Sequence, residues 1–144
     1  MIALVSEGKA RTFHVDNANA RTVTTILRTN ARRESELHTD ESRLYTKVGQ
    51  EFAAHKTVNH SAGEYVGPSG ETTNAAENYF SVFKRGMKGV YQHCREKHLQ
   101  RYLAEFDFRY NHRLPMTDDE RSAKALKGVT GKRLTYQQPR RPQA

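Results

Sequence analysis

Residues 72–113 read TTNAAENYFSVFKRGMKGVYQHCREKHLQRYLAEFDFRYNHR. From Asn74 to about Tyr91, the residues Ala76, Phe80, Phe83, Met87 and Val90 recur at spacings of four and three, the period of a helix with one buried face. Gly86 and Gly89 fall near its end, where glycine bends or breaks a helix. A further helix is expected from about Glu96 to Asn111, burying Leu99, Tyr102, Leu103, Phe106 and Tyr110. Pro115 ends that region.

Working outward, the N-terminal side supplies strands. Ile2 to Val5 is a short apolar run, Glu7-Gly8-Lys9 is a turn, and Arg11 to Val15 alternates with Phe13 and Val15 on one face; together they predict a hairpin. Asp16 or Asn17 can cap a helix running to about Arg32, with Val23, Ile26 and Leu27 on its apolar side. Glu36 to Thr39 reads as a strand ending at Asp40. A helix follows over Ser42 to Phe52, with Leu44, Tyr45, Val48 and Phe52 at helical spacing, and then a strand around Lys56 to His60. Residues 63–70, with Pro68, read as a loop. Beyond Pro115, Asp118 or Asp119 can start a last helix toward Lys127, and the end PRRPQA reads as a disordered tail. Strands first, with helices between and after them, predict an α/β fold with a mixed sheet rather than a bundle.

The 144 residues suit a single domain, and seven Tyr and six Phe supply large groups to bury. The single cysteine, Cys94, rules out an internal disulfide and a Cys-rich zinc site. No apolar run is long enough to cross a bilayer, and the opening MIALVSEG has no signal-peptide pattern, so a cytosolic protein is expected. The net charge of +8 is unevenly placed: residues 1–83 carry nine Lys/Arg against ten Asp/Glu, and residues 84–144 carry fifteen against six. A concentrated positive surface attracts polyanions, nucleic acid foremost, although a solvated basic face has the same composition.

Two carboxylates stand out. Asp40 ends a strand, where ligand-binding side chains gather in α/β sheets, but it also sits where an N-cap is wanted. Glu77 lies in the first turn of its helix, and Asn74 to Glu77 has the spacing of a capping box. Steps of four and three from Glu77 reach Ser81, Lys84, Lys88 and Tyr91, so the acid shares its stripe with two lysines. An acid that binds a metal, with cations for phosphate further along the same stripe, is what phosphodiester chemistry needs. Two hard metal ions about 4 Å apart stabilise the attacking and leaving oxygens, and carboxylates hold such ions. His93, Cys94 and His98 resemble a metal cluster, but only Cys94 and His98 share helical spacing. His55 and His60 bracket a strand on opposite faces. No glycine-rich phosphate loop and no GxSxG elbow is present.

The quoted stretch resembles the bacterial insertion-sequence transposases of the ISXO-like group, whose RNase H-like catalytic domain follows a zinc ribbon. The resemblance rests on Asn74 and Glu77, the Lys-Arg-Gly of Lys84 to Gly86, Lys97 to Tyr102, and Glu105 to Asn111. Thr39-Asp40 and Gly131 to Tyr136 add to it, whereas Thr72 stands where the family often has His. It implies a DDE-type active site in which Asp40 is the second acid and Glu77 the third, both holding Mg²⁺ or Mn²⁺. Lys84, Arg85 and Lys88 would contact phosphate. It also implies DNA transposition by nicking at element ends and strand transfer into target DNA. The partners would be those DNAs and full-length transposase or a second copy, in a bacterial cytoplasm with nucleoid association when DNA-bound.

The same resemblance implies that residues 1–136 are a partial catalytic domain and residues 137–144 a tail. In the family the first acid lies on a central strand upstream of the one that Met1 to Val5 resembles. Glu7 and Asp16 sit at turn or post-strand positions and do not replace it. The expected fold is therefore an RNase H-like mixed sheet lacking its first, central strand, with unpaired edges in the core and little catalysis by this chain alone. A non-enzymatic DNA-binding or partner-binding remnant is the alternative.

Overall fold

In the computed structural model, residues 1–59, 72–114 and 116–131 are described. Strand β1 (Ile2–Ser6) pairs antiparallel with β2 (Lys9–Phe13) in the register Ile2 to Phe13. Glu7 and Gly8, at φ of 50° and 73°, make the connection, a left-handed pair of the kind that matches the strand twist in two-residue hairpins. Helix α1 (Ala20–Asn30) follows. Its cap is Asn19, whose side chain accepts from Thr22 N at 2.9 Å, rather than Asp16 or Asn17.

Strand β3 (Glu36–Asp40) runs parallel to β4 (Ala54–Val58), with Asp40 opposite Val58. The helix expected between them is reduced to a 3-10 turn at Arg43–Tyr45 and the short α2 (Thr46–Gly49). The His55 ring occupies the space beside Gly49, where a Cβ would lie 2.1 Å from its Nδ1. The crossover still buries Val48 and Phe52. His60 and the loop at residues 63–70 lie outside the described residues.

Helix α3 (Asn74–Gly89) and helix α4 (Leu99–Asn111), the latter preceded by a 3-10 turn at Glu96–His98, form the other layer. Period-two alternation along β1 places it between the layers. Ile2 and Leu4 pack with Val23 and Leu27 of α1 and with Val48 and Phe52. Met1, Ala3 and Val5 pack with Tyr79, Phe83, Leu103 and Tyr110 of α3 and α4. A strand with helices on both faces is α/β architecture. The mixed α/β class is as expected, but the described strands form two separate two-stranded sheets, β1–β2 and β3–β4, instead of one mixed sheet.

Two details of the helices differ from the apolar pattern. Tyr79, at 1% exposure, is buried deepest in α3 instead of Phe80, because its hydroxyl finds a carboxylate partner inside. Val90 lies beyond the helix end and is 74% exposed. Gly86 does not break α3: a Cβ there would come within 2.4 Å of Phe106 Cζ, so glycine lets the two helices approach.

Residues Met1–Asn111 form one compact unit and residues from His112 onward a second. The second contains α5 (Asp118–Lys127), capped by Thr117 rather than Asp118 or Asp119. Thr117 and Glu120 make a reciprocal capping box, and Arg121 donates to the Met116 carbonyl at 2.9 Å. Residues 132–136, which carry most of the C-terminal motif, and the expected tail at 137–144 lie outside the described residues.

Candidate functional site

The motif at residues 97–111 has a structural role that its apolar spacing did not reveal. Gln100, Asp107 and Asn111 lie seven and four residues apart on α4, one stripe of the helix. Their side chains accept from the backbone N–H groups of His14 (2.9 Å), Thr12 (2.8 Å) and Ala10 (2.6 Å), every second residue along β2 and beyond its end. Asn111 also donates to the Ala10 carbonyl at 2.8 Å, completing a two-bond pairing like that of a neighbouring strand. Helix α4 thus seals the outer edge of β2, where unpaired amides would otherwise invite another strand. Asp107 also accepts from the Thr12 hydroxyl at 2.9 Å and the Tyr79 hydroxyl at 2.7 Å, joining β2, α3 and α4. Burial first, and then this carboxylate, push the Tyr79 phenol far above its ordinary pKa.

Asp40 is the last residue of β3 and is exposed. Its Oδ1 accepts from Ser42 N at 3.1 Å, the local turn that starts the crossover. Beneath it, buried Thr39 donates to the Asp40 carbonyl at 2.9 Å and shares a 2.9 Å hydrogen bond with His55 Nε2 from β4. The end of the strand is therefore anchored from behind while its carboxylate points outward. Burial raises the pKa of the Tyr45 phenol, and the nearby Asp40 charge raises it further.

Glu77 lies exposed in the first turn of α3. The expected capping box with Asn74 is not formed: Thr73 is the N-cap residue, and its hydroxyl donates to Glu77 Oε1 at 2.8 Å. Asn74 N instead donates to the Thr72 hydroxyl at 3.0 Å. Lys84, Arg85 and Lys88 are exposed along the same helix, whose opposite side carries Tyr79 and Phe83. An acid in the first turn, with cations about two to three turns beyond, thus forms a continuous solvent-facing surface.

Among the described residues, only His14, Asp16 and Glu96 bring three potential metal-ligating atoms together, and the group includes neither Asp40 nor Glu77. His93, Cys94 and His98 do not form such a group either; Cys94 Sγ contacts the Arg95 carbonyl at 3.5 Å. In the sequence Asp16 reads as a helix cap or as a post-strand acid, not as a metal ligand. Nothing in the spacing of His14 and Glu96 signals their approach, which depends on α4 lying along β2.

The family model of the ISXO2-like transposase domain matches residues 1–111. The chain belongs to that family. The matched span coincides with the first compact unit, so the family pattern covers the β1–β2 hairpin, the β3–β4 pair and both large helices of this transposase domain. Neither a curated protein nor a solved structure matches the chain. Membership ties the chain to DNA transposition in general, and with it to DNA as a partner; transposases of this kind usually use a divalent metal. No helix among the described residues is long and apolar enough to cross a membrane.

Proposed function

We propose that this transposase domain is of the DDE type and that Asp40 and Glu77 are two of its metal-holding acids, acting in DNA strand cleavage and strand transfer. The observation that carries this is the placement of Asp40: a carboxylate exposed at the carboxyl end of a parallel strand, its backbone fixed by Thr39 and His55. Ligand-binding groups of α/β sheets collect at such strand ends. Both acids supply hard oxygen donors, which fit Mg²⁺ or Mn²⁺. A bound pair of such ions would stabilise charge on the attacking and leaving oxygens of the phosphodiester. The chain's own part is to orient Asp40 through the Ser42 amide and Glu77 through the Thr73 hydroxyl. Lys84, Arg85 and Lys88 would hold the DNA backbone, contributing affinity that falls with salt and carries no sequence information.

The fold we propose is RNase H-like. β1 and β3 pack through Ile2, Leu4 and Leu37 against one apolar cluster around α1, yet belong to different two-stranded sheets. A strand inserted between them would unite the sheets, and a carboxylate on it would complete a triad. Glu7, in the hairpin turn, and Asp16, beyond β2, are not on such a strand. With two acids, this chain by itself is proposed to cut DNA weakly or not at all.

A second reading, a DNA-binding module without catalysis, is favoured by the local hydrogen bonds that both acids make at the starts of turns and helices. Plasmid nicking in Mg²⁺ and Mn²⁺, run beside a DNA-binding titration, separates the two. In the catalytic reading, any metal-dependent nicking disappears in Asp40→Asn and in Glu77→Gln while binding persists. Nicking that survives both changes contradicts the active-site assignment. Salt-sensitive binding that is indifferent to metal and to Glu77→Ala, rather than the absence of nicking, supports the second reading.

A further inference from the structure

We propose a separate transition-metal site formed by His14, Asp16 and Glu96, which includes neither Asp40 nor Glu77. The three residues come from two elements far apart in sequence: His14 and Asp16 follow β2, and Glu96 opens the 3-10 turn before α4. One ligand atom from each lies within 4.8 Å of the others. His14 Nε2 and Glu96 Oε1 are 3.6 Å apart. That is too long for a hydrogen bond, so neither group satisfies the other by sharing a proton. It is close to the separation of about 3.4 Å expected between two ligands on one tetrahedral ion with bonds near 2.1 Å.

The scaffold is prepared for such a role. The His14 backbone is fixed by its 2.9 Å bond to Gln100, one turn along from Glu96, and its side chain is only 22% exposed. Val15, between the two ligands, packs against the apolar cluster under α1, which anchors the segment. His14, Val15 and Asp16 line an open recess with Asn17, Asn19 and Thr22. A single solvent-facing acid would leave the ligand set mobile; here the backbone that carries the part-buried imidazole is held, and the more exposed carboxylate of Glu96, at 77%, closes the set.

One imidazole and two carboxylates form a mixed nitrogen and oxygen set. It suits Zn²⁺ and related transition ions better than Mg²⁺, which prefers oxygen donors and retains its waters. An ion bound there would tie the end of β2 to the start of α4, reinforcing the contact that Gln100, Asp107 and Asn111 make along the same edge. The site requires no part of the transposition chemistry.

Calorimetric titration of the full chain with Zn²⁺, paired with thermal melts, tests it. The expected result is a saturable Zn²⁺ site that persists in Asp40→Asn with Glu77→Gln, and a raised Tm. Affinity should fall at least about tenfold in Glu96→Gln and in His14→Ala. Glu96→Gln removes a charge from an exposed side chain and leaves the packing intact, so its melt without zinc should match the parent. Asp40→Asn with Glu77→Gln, and His93→Ala with His98→Ala, should leave Zn²⁺ affinity unchanged. Absence of Zn²⁺ binding by the parent chain overturns the proposal. So does unchanged affinity in Glu96→Gln and His14→Ala, or loss confined to the His93 and His98 changes.

Discussion

At the residue scale, the most consequential side chain outside the candidate site is Asp107. It accepts from Thr12 N, from the Thr12 hydroxyl and from the Tyr79 hydroxyl, and Thr12 and Tyr79 are both buried. Removing the carboxylate strands donors that water reaches poorly. Asp107→Ala should therefore cost about 3 kcal/mol in denaturant unfolding, against about 1 kcal/mol for Tyr79→Phe, which removes one donor along with its bond. Equal losses for the two would show that Asp107 acts through Tyr79 alone. Gly86 is the second such position. Phe106 is stacked edge-on with Phe83 at 5.0 Å and with Tyr91 at 6.1 Å, so its ring has little room to yield to a methyl group. Gly86→Ala should destabilise by about 1–3 kcal/mol despite alanine's higher helix propensity. A stabilised Gly86→Ala variant would mean that the two helices can separate without loss.

Among the elements, β3–β4 carries a pH dependence. Burial lowers the pKa of His55 from its ordinary 6.5. The unfolded chain then takes up the proton first as pH falls, so stability declines from about 6.5 downward, until the folded state also protonates. Thermal melts between pH 5 and 8 should show this decline. Replacing His55 with a non-titrating Gln should flatten it, and an unchanged slope would place its origin elsewhere. Glu36 acts in a lower window: its hydrogen bonds to Lys56 and His38 hold its pKa below 4.5, so that exposed contribution is lost only as pH drops through the lowered value.

The elements also show what could be read from the chain. The hairpin, β3 ending at Asp40, and α3 beginning near Asn74 follow from alternation, apolar period and local punctuation, all encoded within a few residues. The crossover at 41–53 did not: its helical spacing describes which residues are buried, while the His55 ring against Gly49 comes from the neighbouring strand. The burial of Tyr79 is not legible in the sequence, because a phenol reads as half-polar until its carboxylate partner, 28 residues away, is known. The edge-sealing stripe of α4 was hidden for the same reason. Gln100, Asp107 and Asn111 are polar, and only β2, about a hundred residues upstream of Asn111, explains them. For the candidate site, Asp40 and Glu77 were recognisable as motif positions, whereas the approach of His14 to Glu96 exists only in three dimensions.

For the whole molecule, the basic excess of residues 84–144 and the exposed Lys84, Arg85 and Lys88 predict DNA binding that weakens steeply with salt. Changing these three residues to Ala should reduce the slope of log affinity against log salt by up to about 3 and weaken binding to unrelated sequences alike. An unchanged slope would place the DNA on another surface. The most direct test of the proposed active site is paramagnetic broadening by Mn²⁺ of amide signals in the ¹⁵N-labelled full chain with DNA bound. If Asp40 and Glu77 share an ion, signals at residues 38–42 and 74–78 broaden together at the same Mn²⁺ concentration, and both effects vanish in Asp40→Asn and in Glu77→Gln. Broadening confined to one of the two segments, or persisting in those variants, would contradict a shared metal site.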